Sequence, residues 1–273
     1  MRVGLRFQPL GSGSRGNAAL VQFGEATLLV DAGLSARAMT RRLVEAGVEP
    51  SSVSAIVLSH EHQDHSRGAQ LFSRQHQVTV ACSRATLEAM DCSPEHFHRW
   101  ESLPAEGNQC VAGVNVRTFP VPHDAARPVG FVLERDGLRV GVATDLGHAT
   151  TLVRQRLLGC HLLMIESNYD PVLLNQGRYP WQIKQRVSGR MGHLSNAAAA
   201  ALLGEVVDDR CYAVVLAHLS ENNNRPELAR QAASGVLAER GYARVRMRVA
   251  SPRALTPALW LDHDGVREEE SLR

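Results

Sequence analysis

The sequence predicts an α/β fold with a sheet-rich core and helices on the outside. Short apolar runs typical of buried strands alternate with helical segments along the whole chain. The 273 residues suffice for one large α/β domain or for two small ones. No internal repeat, low-complexity tract or Pro/Ser-rich linker divides the chain. We therefore expect a single domain over residues 1–273.

The first half of the chain begins with strands and continues with alternating helices and strands. Ser35 can cap the start of the first helix, and Gly47 can end it. The apolar runs and these end signals predict strands over residues 2–9, 18–23, 27–31, 55–59 and 78–82, and helices over residues 36–46, 67–76 and 84–90.

The second half repeats this arrangement. Pro226 suits the first turn of a helix, and Gly241 can end that helix. Strands are predicted over residues 114–119, 129–134, 138–144, 161–166, 212–217 and 244–249, and helices over residues 151–159, after Ser195, and from 226 to 241. The chain therefore reads as two similar halves of strands and helices.

Charge, hydropathy and cysteine content exclude several classes of protein. The 30 Lys and Arg residues nearly balance the 28 Asp and Glu residues, which argues against a histone-like polybasic protein. No run of eighteen apolar residues occurs and the N-terminus lacks an apolar signal stretch, so we expect no membrane partner. The five cysteines form no CxxC pair, which predicts free thiols in a reducing cytoplasm.

Residues 11–16, Gly-Ser-Gly-Ser-Arg-Gly, match the GxGxxG pattern of dinucleotide-binding turns. They follow a strand, and Asp31 lies twenty residues after Gly11. The helix that should follow and bind the pyrophosphate is missing, because the next residues read as a strand. The chain also lacks the GK[ST] of a P-loop. We therefore expect no nucleotide cofactor and interpret the segment as a Gly-rich loop beside an active site.

A stronger signal follows the predicted strand at residues 55–59. There the chain reads His-Glu-His-Gln-Asp-His, which places four residues of metal-ligand type within six positions: His60, His62, Asp64 and His65. Such a loop at a strand end can turn His60 and His62 toward one metal and Asp64 and His65 toward another. Imidazoles and a carboxylate suit Zn²⁺, and also Mn²⁺ or Fe. The alternative is a polar turn that is merely rich in histidine.

Further ligands must come from distant segments, because one HxHxDH motif cannot complete two coordination shells. His123, Asp145 and His218 each follow an apolar strand. Side chains at strand ends converge on one rim of a sheet in α/β proteins. The single carboxylate of Asp145 could bridge two metals. Any one of these residues alone could be structural, but together with the motif they form a set of seven.

The order HxHxDH, His, Asp, His resembles the metallo-β-lactamase superfamily of binuclear metallohydrolases. The resemblance implies a four-layer αββα sandwich, with two mixed sheets face to face, outer helices and the metal site at one edge. It implies that one metal binds to His60, His62 and His123, the other to Asp64, His65 and His218, and that Asp145 bridges them. Asp31 stands where the family has a buried carboxylate that supports the ligand loop.

Several shorter motifs resemble the YycJ/WalJ-like group of this superfamily. They are Gly-Ser-Gly-Ser-Arg-Gly-Asn17, Pro-His123-Asp-Ala, Thr-Asp145-Leu-Gly, Glu166-Ser-Asn-Tyr-Asp, Gly-His193-Leu-Ser-Asn and Leu-Ala-His218-Leu-Ser. The group is similar to ribonuclease Z, and 5′–3′ exonuclease activity on DNA is associated with it. Only 72 residues separate Asp145 from His218, too few for a β-CASP insertion.

The resemblance implies a mechanism for a phosphodiester substrate, DNA or RNA. Two divalent ions would lower the pKa of a bridging water, and the resulting hydroxide would attack phosphorus. Asp64 could orient that hydroxide. His193, paired with Glu166 as in ribonuclease Z, is the candidate proton donor for the leaving group. The alternative for His193 is a cap or packing role at the helix after Ser195.

A basic and aromatic segment predicts contact with nucleic acid. Between Pro171 and Gly204 there are four basic residues, no acidic one, and Tyr179 and Trp181 among them. Basic groups for phosphates and rings for bases suit a single strand. The expected substrate contacts are Asn17, Arg178, Trp181, Lys184, Arg186 and Arg190. The alternative is a solvated loop whose rings pack against the protein.

Two other functions stay open on the sequence alone. One is a metallohydrolase of another class, such as a thioesterase, lactonase or β-lactamase, because one fold hosts many reactions. The other is a metal-binding regulator without catalytic activity. Comparing turnover of a phosphodiester with turnover of a β-lactam or a thioester distinguishes the phosphodiesterase from the other hydrolases. Any metal-dependent turnover excludes the regulator without activity.

Overall fold

Two β-sheets dominate the computed structural model, which describes residues 4–267. The strands are β1 (Leu5–Gly11), β2 (Ala18–Phe23), β3 (Ala26–Val30), β4 (Ala55–Val57), β5 (Thr79–Cys82), β6 (Arg99–Ser102), β7 (Gly107–Val111), β8 (Val114–Pro120), β9 (Val129–Arg135), β10 (Leu138–Ala143), β11 (Leu162–Glu166), β12 (Ala213–Ala217), β13 (Arg246–Val249), β14 (Leu259–Asp262) and β15 (Gly265–Arg267).

The helices connect these strands. They are α1 (Ala36–Glu45), α2 (Gln63–Ser66), α3 (Ala69–His76), α4 (Arg84–Ala89), α5 (Thr151–Leu157), α6 (Pro171–Gln176), α7 (Trp181–Ser188), α8 (Asn196–Val206) and α9 (Pro226–Glu239). Short 3₁₀ turns lie at Pro50–Ser52 and Pro94–His96.

Both sheets are mixed. Within residues 4–267 the first sheet has the order β15-β14-β1-β2-β3-β4-β5-β6, and the second has the order β13-β12-β11-β10-β9-β8-β7. The first is parallel from β3 to β6, and the second is parallel from β10 to β13. The other neighbours are antiparallel. The parallel strands of each sheet therefore end at a common edge.

Three apolar clusters show that the two sheets pack face to face between helices. The central cluster combines Phe7 and Val21 of the first sheet with Phe131 and Val215 of the second. A second cluster packs the outer face of the second sheet against α5, α8 and α9. A third packs the outer face of the first sheet against α1, α3 and α4. The predicted αββα sandwich is thereby confirmed.

The central strands are apolar on both faces, as this layering requires. In β12, Ala213, Val215 and Ala217 face the other sheet, whereas Val214 and Leu216 face the helices. Because both faces of β12 are buried, its sequence is a continuous apolar run, and this run is what predicted the strand.

Helix ends follow the predicted signals where the residue chemistry is clear. The Ser35 hydroxyl accepts a hydrogen bond from the Ala38 amide and caps α1, and α9 begins at Pro226. Four strands and three helices had no sequence prediction: β6, β7, β14, β15, α2, α6 and α7. Three of these strands, β6, β7 and β15, lie at sheet edges, where no continuous apolar run is needed.

Two further sequence features are visible in the described part of the chain. All five cysteines are free, and Cys82, Cys160 and Cys211 are buried. No helix among the described residues has the length and the apolar character to cross a bilayer.

Candidate metal centre

The predicted ligands come together because they follow strands that end at the same edge of the sandwich. His60 lies beyond β4 in the first sheet. His123, Asp145 and His218 follow β8, β10 and β12 in the second. These three strands run in the same direction, since β9 is antiparallel to both β8 and β10 and the later strands are parallel. One rim of the two sheets therefore carries the whole set.

Three of the candidate residues adopt left-handed backbone conformations directly beyond their strands. The φ angles are 62° for Asp31, 56° for Asp145 and 53° for His218. Asp and His enter this region more readily than most residues, but it still costs free energy. Each strand thus ends in a sharp turn that sends the side chain into the site instead of along the sheet.

The HxHxDH segment forms the single-turn helix α2. His62 occupies its N-cap position, and the His65 amide donates to the His62 carbonyl at 2.8 Å. This turn separates the side chains into the two groups that the sequence predicts. His60 and His62 lie on one side, and Asp64 and His65 lie on the other.

The ligand atoms cluster as two groups of three. The ring nitrogens of His60, His62 and His123 lie within 4.8 Å of one another. One atom each from Asp64, His65 and His218 does the same. These are the two sets that the family resemblance implies.

Asp145 lies between these groups and is almost fully buried. Its carboxylate oxygens are 3.0 Å from His65 Nε2, 3.5 Å from His218 Nδ1 and 3.7 Å from His123 Nε2. It also forms a third cluster with His60 and His65. The carboxylate can therefore reach an ion in either group.

Nε2 of His60 is buried and lacks a hydrogen-bond partner within residues 4–267. Buried polar atoms are normally paired, and an orphaned nitrogen that faces a cluster of candidate ligands is what a cation site produces. The residues therefore fit divalent metal ions, because the two groups and Asp145 together offer five imidazoles and two carboxylates.

Asp31 supports the second group from behind. Its carboxylate accepts hydrogen bonds from the Ser59 amide at 2.8 Å, from the Ser59 hydroxyl at 3.0 Å and from His65 Nδ1 at 2.8 Å. This arrangement leaves Nε2 of His65 for a metal. Buried carboxylates behind metal-binding histidines fix both the tautomer and the ring orientation.

Gly33 allows the ligand loop to lie against the Gly-rich loop. A Cβ at this position would be 1.6 Å from the Asp64 carbonyl oxygen. The Asn17 amide donates to the same oxygen at 2.7 Å, and the Gly33 amide donates to the Asn17 carbonyl at 2.8 Å. A side chain at residue 33 would displace the segment that carries Asp64 and His65.

Glu166 joins His193 to the second group. Its Oε1 atom is 2.7 Å from His193 Nδ1 and 2.9 Å from His218 Nδ1, and its Oε2 accepts from the Leu146 and Leu194 amides at 3.1 Å. The side chain is completely buried. Ser195, not His193, caps α8 by accepting from the Ala198 amide. The ring of His193 is therefore held by Glu166 and by no helix end.

The electrostatics of the site favour cation binding. Burial lowers the pKa of His60 well below its usual value, so this ring is neutral. Burial opposes the ionisation of Asp64, but the hydrogen bond from His218 and the positive charges of His65 and His218 together outweigh it and lower the pKa of Asp64 to about 2. Burial also opposes the charged form of His218, yet Asp145, Asp64 and Glu166 raise its pKa to about 10. A metal would replace such imidazole protons, so its affinity depends on pH.

An open cavity of about 260 Å³ exposes this rim to solvent. His62, Asp64, His123, Asp145, His193 and His218 line its floor. Ile183, Arg186 and Val187 of α7 and Met191 line one wall. Ser14 and Asp124 complete it. The sequence analysis missed most of these wall residues, because α7 is short and buries no residue, so no apolar face marks it in the sequence as a core helix.

The predicted substrate contacts are placed unevenly. Of the four basic residues only Arg186 lines the cavity, where its guanidinium is 3.2 Å from the Asp124 carboxylate. Lys184 donates to the Asn175 carbonyl. Arg178, Trp181 and Arg190 are exposed outside the cavity. Trp181 precedes Ile183 by two residues, which places it roughly 200° around α7 from the cavity wall.

Asn17, which we expected to contact substrate, is buried instead. Its side-chain amide donates toward the Gly13 and Asp64 carbonyls and lies 3.0 Å from His65 Nε2, and its oxygen accepts from Ser12 and Gly13. No face of this amide is left for a substrate. Asn17 therefore ties the Gly-rich loop to the ligand loop, which corrects the predicted contact.

The chain is similar to known proteins both in sequence and in fold. Residues 26–218 match the family model described as the beta-lactamase superfamily domain. The chain is 34% identical to a protein named exodeoxyribonuclease YycJ from Bacillus anthracis, over 88% of this chain and 92% of that protein. It is 30% identical to exodeoxyribonuclease WalJ from Streptococcus pneumoniae, over 87% and 90%.

Solved structures agree at the level of fold. The metallo-beta-lactamase fold protein YhfI from Bacillus subtilis superimposes with a TM-score of 0.72 at 14% identity, covering 94% of this chain and all of that one. Zn²⁺-bound PqqB from Methylobacterium extorquens gives 0.66 at 17% identity, covering 94% and 99%.

Removing the charge of Asp31 should weaken metal binding without unfolding the protein. Asp31→Asn keeps an acceptor for Ser59 but turns an amide N–H₂ toward His65 Nδ1, which disfavours the tautomer that leaves Nε2 free. We expect metal affinity at the second group to fall by about 10–100-fold, as for other supporting carboxylates. Competition with a chelating dye measures this. Asp209→Asn, an exposed carboxylate, is the matched control, and equal affinities in both variants would contradict the assignment.

Proposed function

The chain belongs to the β-lactamase superfamily, and we propose that it is a metal-dependent phosphodiesterase that degrades DNA as an exonuclease. The observation that carries the proposal is 34% identity to a protein named as an exodeoxyribonuclease, over 92% of that protein's length. The rim of ligand residues supplies a site for the chemistry. We propose the 5′–3′ direction from the resemblance to the YycJ/WalJ-like group, and a cytoplasmic location from the free thiols.

We also propose that residues 1–273 form a single domain without a β-CASP insertion. Both sheets contribute to one central cluster within residues 4–267. The segment between Asp145 and His218 is filled by α5, β11, α6, α7, α8 and β12.

Seven residues would hold two divalent ions, His60, His62 and His123 on one side and Asp64, His65 and His218 on the other, with Asp145 shared. Nitrogen and oxygen ligands of this kind favour Zn²⁺ and also accept Mn²⁺ or Fe. Such ions supply Lewis acidity toward a phosphate and make water a better nucleophile at neutral pH. The remaining steps depend on this chain's own side chains.

Asp64 is suited to orient the attacking water. It lines the cavity, and its Oδ2 atom is fixed by His218 Nε2 at 3.3 Å and by the Asn17 amide at 3.4 Å. A carboxylate held at two points accepts a hydrogen bond from water in a defined direction. Orientation of this kind lowers the entropic cost of the attack.

His193 is suited to protonate the leaving oxygen. Its Nδ1 atom is bound to Glu166, which leaves Nε2 as the ring nitrogen for the substrate. The residue is among those that line the cavity. Glu166 fixes the ring and stabilises its protonated form, so it acts as a positioning residue for the proton donor.

Helix α7 is suited to follow the nucleic-acid backbone beyond the cavity. Arg186 and Asp124 form an exposed ion pair, which contributes little stability, so a substrate phosphate can replace the carboxylate. Trp181 is 63% exposed and can stack with a base farther along a strand. Lys184 on α7, Arg178 before the helix and Arg190 after it extend the positive charge along this segment.

The central test combines metal analysis with digestion of DNA. We expect the purified protein to bind up to two transition-metal ions and to degrade end-labelled DNA from one end. Asp145→Ala should lose metal and activity together, because its carboxylate contacts both groups, whereas His263→Ala should lose neither. Turnover of a β-lactam or a thioester without DNA degradation would instead establish another class of metallohydrolase. Two tight metals in an active Asp145→Ala protein would overturn the shared ligand.

Loss of His193 should depend on the leaving group. We expect His193→Ala to retain its metal and to lower kcat on DNA by about 10²–10⁴, the usual effect of general acid catalysis. A nitrophenyl phosphodiester has a good leaving group and should lose much less. Steady-state rates on both substrates measure this. Equal losses on both would show that His193 only positions the substrate.

Variants of α7 should separate charge from stacking. If Arg186 contacts one phosphate, Arg186→Ala should flatten the slope of log K against log salt by about 0.7 on single strands. Trp181→Ala should cost about 1–3 kcal/mol on long strands with little change of slope. Binding of a labelled single strand at several salt concentrations measures both. Arg84→Ala, an exposed arginine on α4, is the control, and a slope for Arg186→Ala equal to that control would refute the phosphate contact.

A further inference from the structure

The proposed function leaves the tip of the Gly-rich loop unused, although this loop separates two cavities. Ser14 lines the cavity of the metal centre. The next residue, Arg15, forms an ion pair with Glu221 at 2.7 Å, and Glu221 lines a second cavity. His218 and Leu219 show the same adjacency, since the first lines the metal cavity and the second lines its neighbour. The two cavities therefore meet along residues one position apart.

The second cavity has the size and wall chemistry for one nucleoside. Its volume is about 330 Å³, at the lower end for small-molecule sites. Leu219, Pro226 and Pro252 give it apolar surfaces, and Ser220, Glu221 and Arg253 give it polar groups. Such mixed walls suit a flat ring system with polar edges joined to a sugar.

The loop between the cavities is rigid and electropositive. Gly13 and Ser12 both donate to the Asn17 side chain, and the Ser12 amide donates to the Ser251 carbonyl at 3.1 Å. The N–H groups of Ser14 and Arg15 donate no hydrogen bond within the described part of the chain. Free backbone amides on a rigid loop are a common way to bind phosphate oxygens.

Two arginines behind this loop add positive charge. Arg42 is buried and donates to the Leu10 carbonyl and, at 3.3 Å, to the Pro252 carbonyl. Arg67 donates to the carbonyls of Gly33 and Arg15. Neither guanidinium forms an ion pair with a carboxylate within residues 4–267. Their charges therefore add to the positive potential behind the loop.

We propose that the Gly13–Arg15 loop and this second cavity bind the terminal nucleotide of the strand, with its phosphate on the loop and its nucleoside in the cavity. The inference rests on the proposed function and assigns it a product. Because the cavity next to the metal centre has room for one nucleoside, cleavage would remove one nucleotide at a time. The enzyme would then release mononucleotides. The wall formed by α7 is open and sets no such limit on the length of the product.

Binding of thymidine 5′-monophosphate to the metal-free protein tests the site without catalysis. Arg253→Ala removes a rim cation, and Ser220→Trp fills the cavity. Each should weaken binding by about tenfold or more, the usual effect of losing a charged hydrogen bond. Arg84→Ala is the control, because Arg84 forms a comparable exposed pair with Glu88. Calorimetric titration and a melting curve for each variant keep folding separate from affinity.

Kinetics on two small phosphodiesters give an independent readout. The 3′-(nitrophenyl phosphate) of thymidine 5′-monophosphate carries a nucleoside whose 5′-phosphate can lie on the loop while its 3′-phosphodiester lies at the metal centre, whereas bis(nitrophenyl) phosphate carries no nucleoside. The ratio of their kcat/KM values should fall about tenfold in Arg253→Ala and stay at the wild-type value in Arg84→Ala. If wild-type protein degrades DNA but both cavity variants keep the wild-type affinity and ratio, the nucleotide site is overturned. If wild-type protein degrades no DNA with any metal, the proposed function fails instead.

Discussion

The buried carboxylate of Asp145 is the interaction on which the rest of the site depends. A carboxylate removed from water is costly unless positive charge and hydrogen bonds surround it. Histidines from four separate loops provide those partners, because His65, His123, His193 and His218 all approach within 3.7 Å. The left-handed turn after β10 places the carboxylate there. The loops of two sheets are thus held at one point by charge, and metal ions would strengthen the same arrangement.

Buried side chains behind the candidate ligands hold these histidines in place. Asp31, Ser59 and Asn17 fix His65 and the backbone of the ligand loop, while Glu166 fixes His193 and His218. Each of these supporting residues is itself buried, so the geometry of the cavity floor is fixed from within the protein.

The sequence predicted the parts of the molecule that follow from strong local rules. Strands buried on both faces, such as β11 and β12, appear in the sequence as continuous apolar runs. The HxHxDH segment indicates candidate metal ligands by its residue types alone. Edge strands such as β6 and β7 need no such run, and α7 buries nothing, so neither leaves a pattern to detect. The role of Asn17 was misjudged for a related reason. Its side chain is buried and bonded to Ser12, Gly13 and Asp64, and these contacts form only when the Gly-rich loop and the ligand loop, which are distant in sequence, come together.

The floor of the site alone does not determine what the protein does, because a fold of this kind serves many reactions. The discriminating features are the walls. One wall is α7, a helix that buries none of its residues and places Arg186 at the cavity. On the other side stands the Gly-rich loop, pinned by Asn17 and backed by Arg42 and Arg67. The α7 wall carries Arg186 and the loop offers the amide of Ser14, which is free within residues 4–267, and both groups suit an anion better than a neutral ester or lactam. The two walls, one helix and one loop beside a shared rim of candidate ligands, therefore support the phosphodiester substrate proposed above.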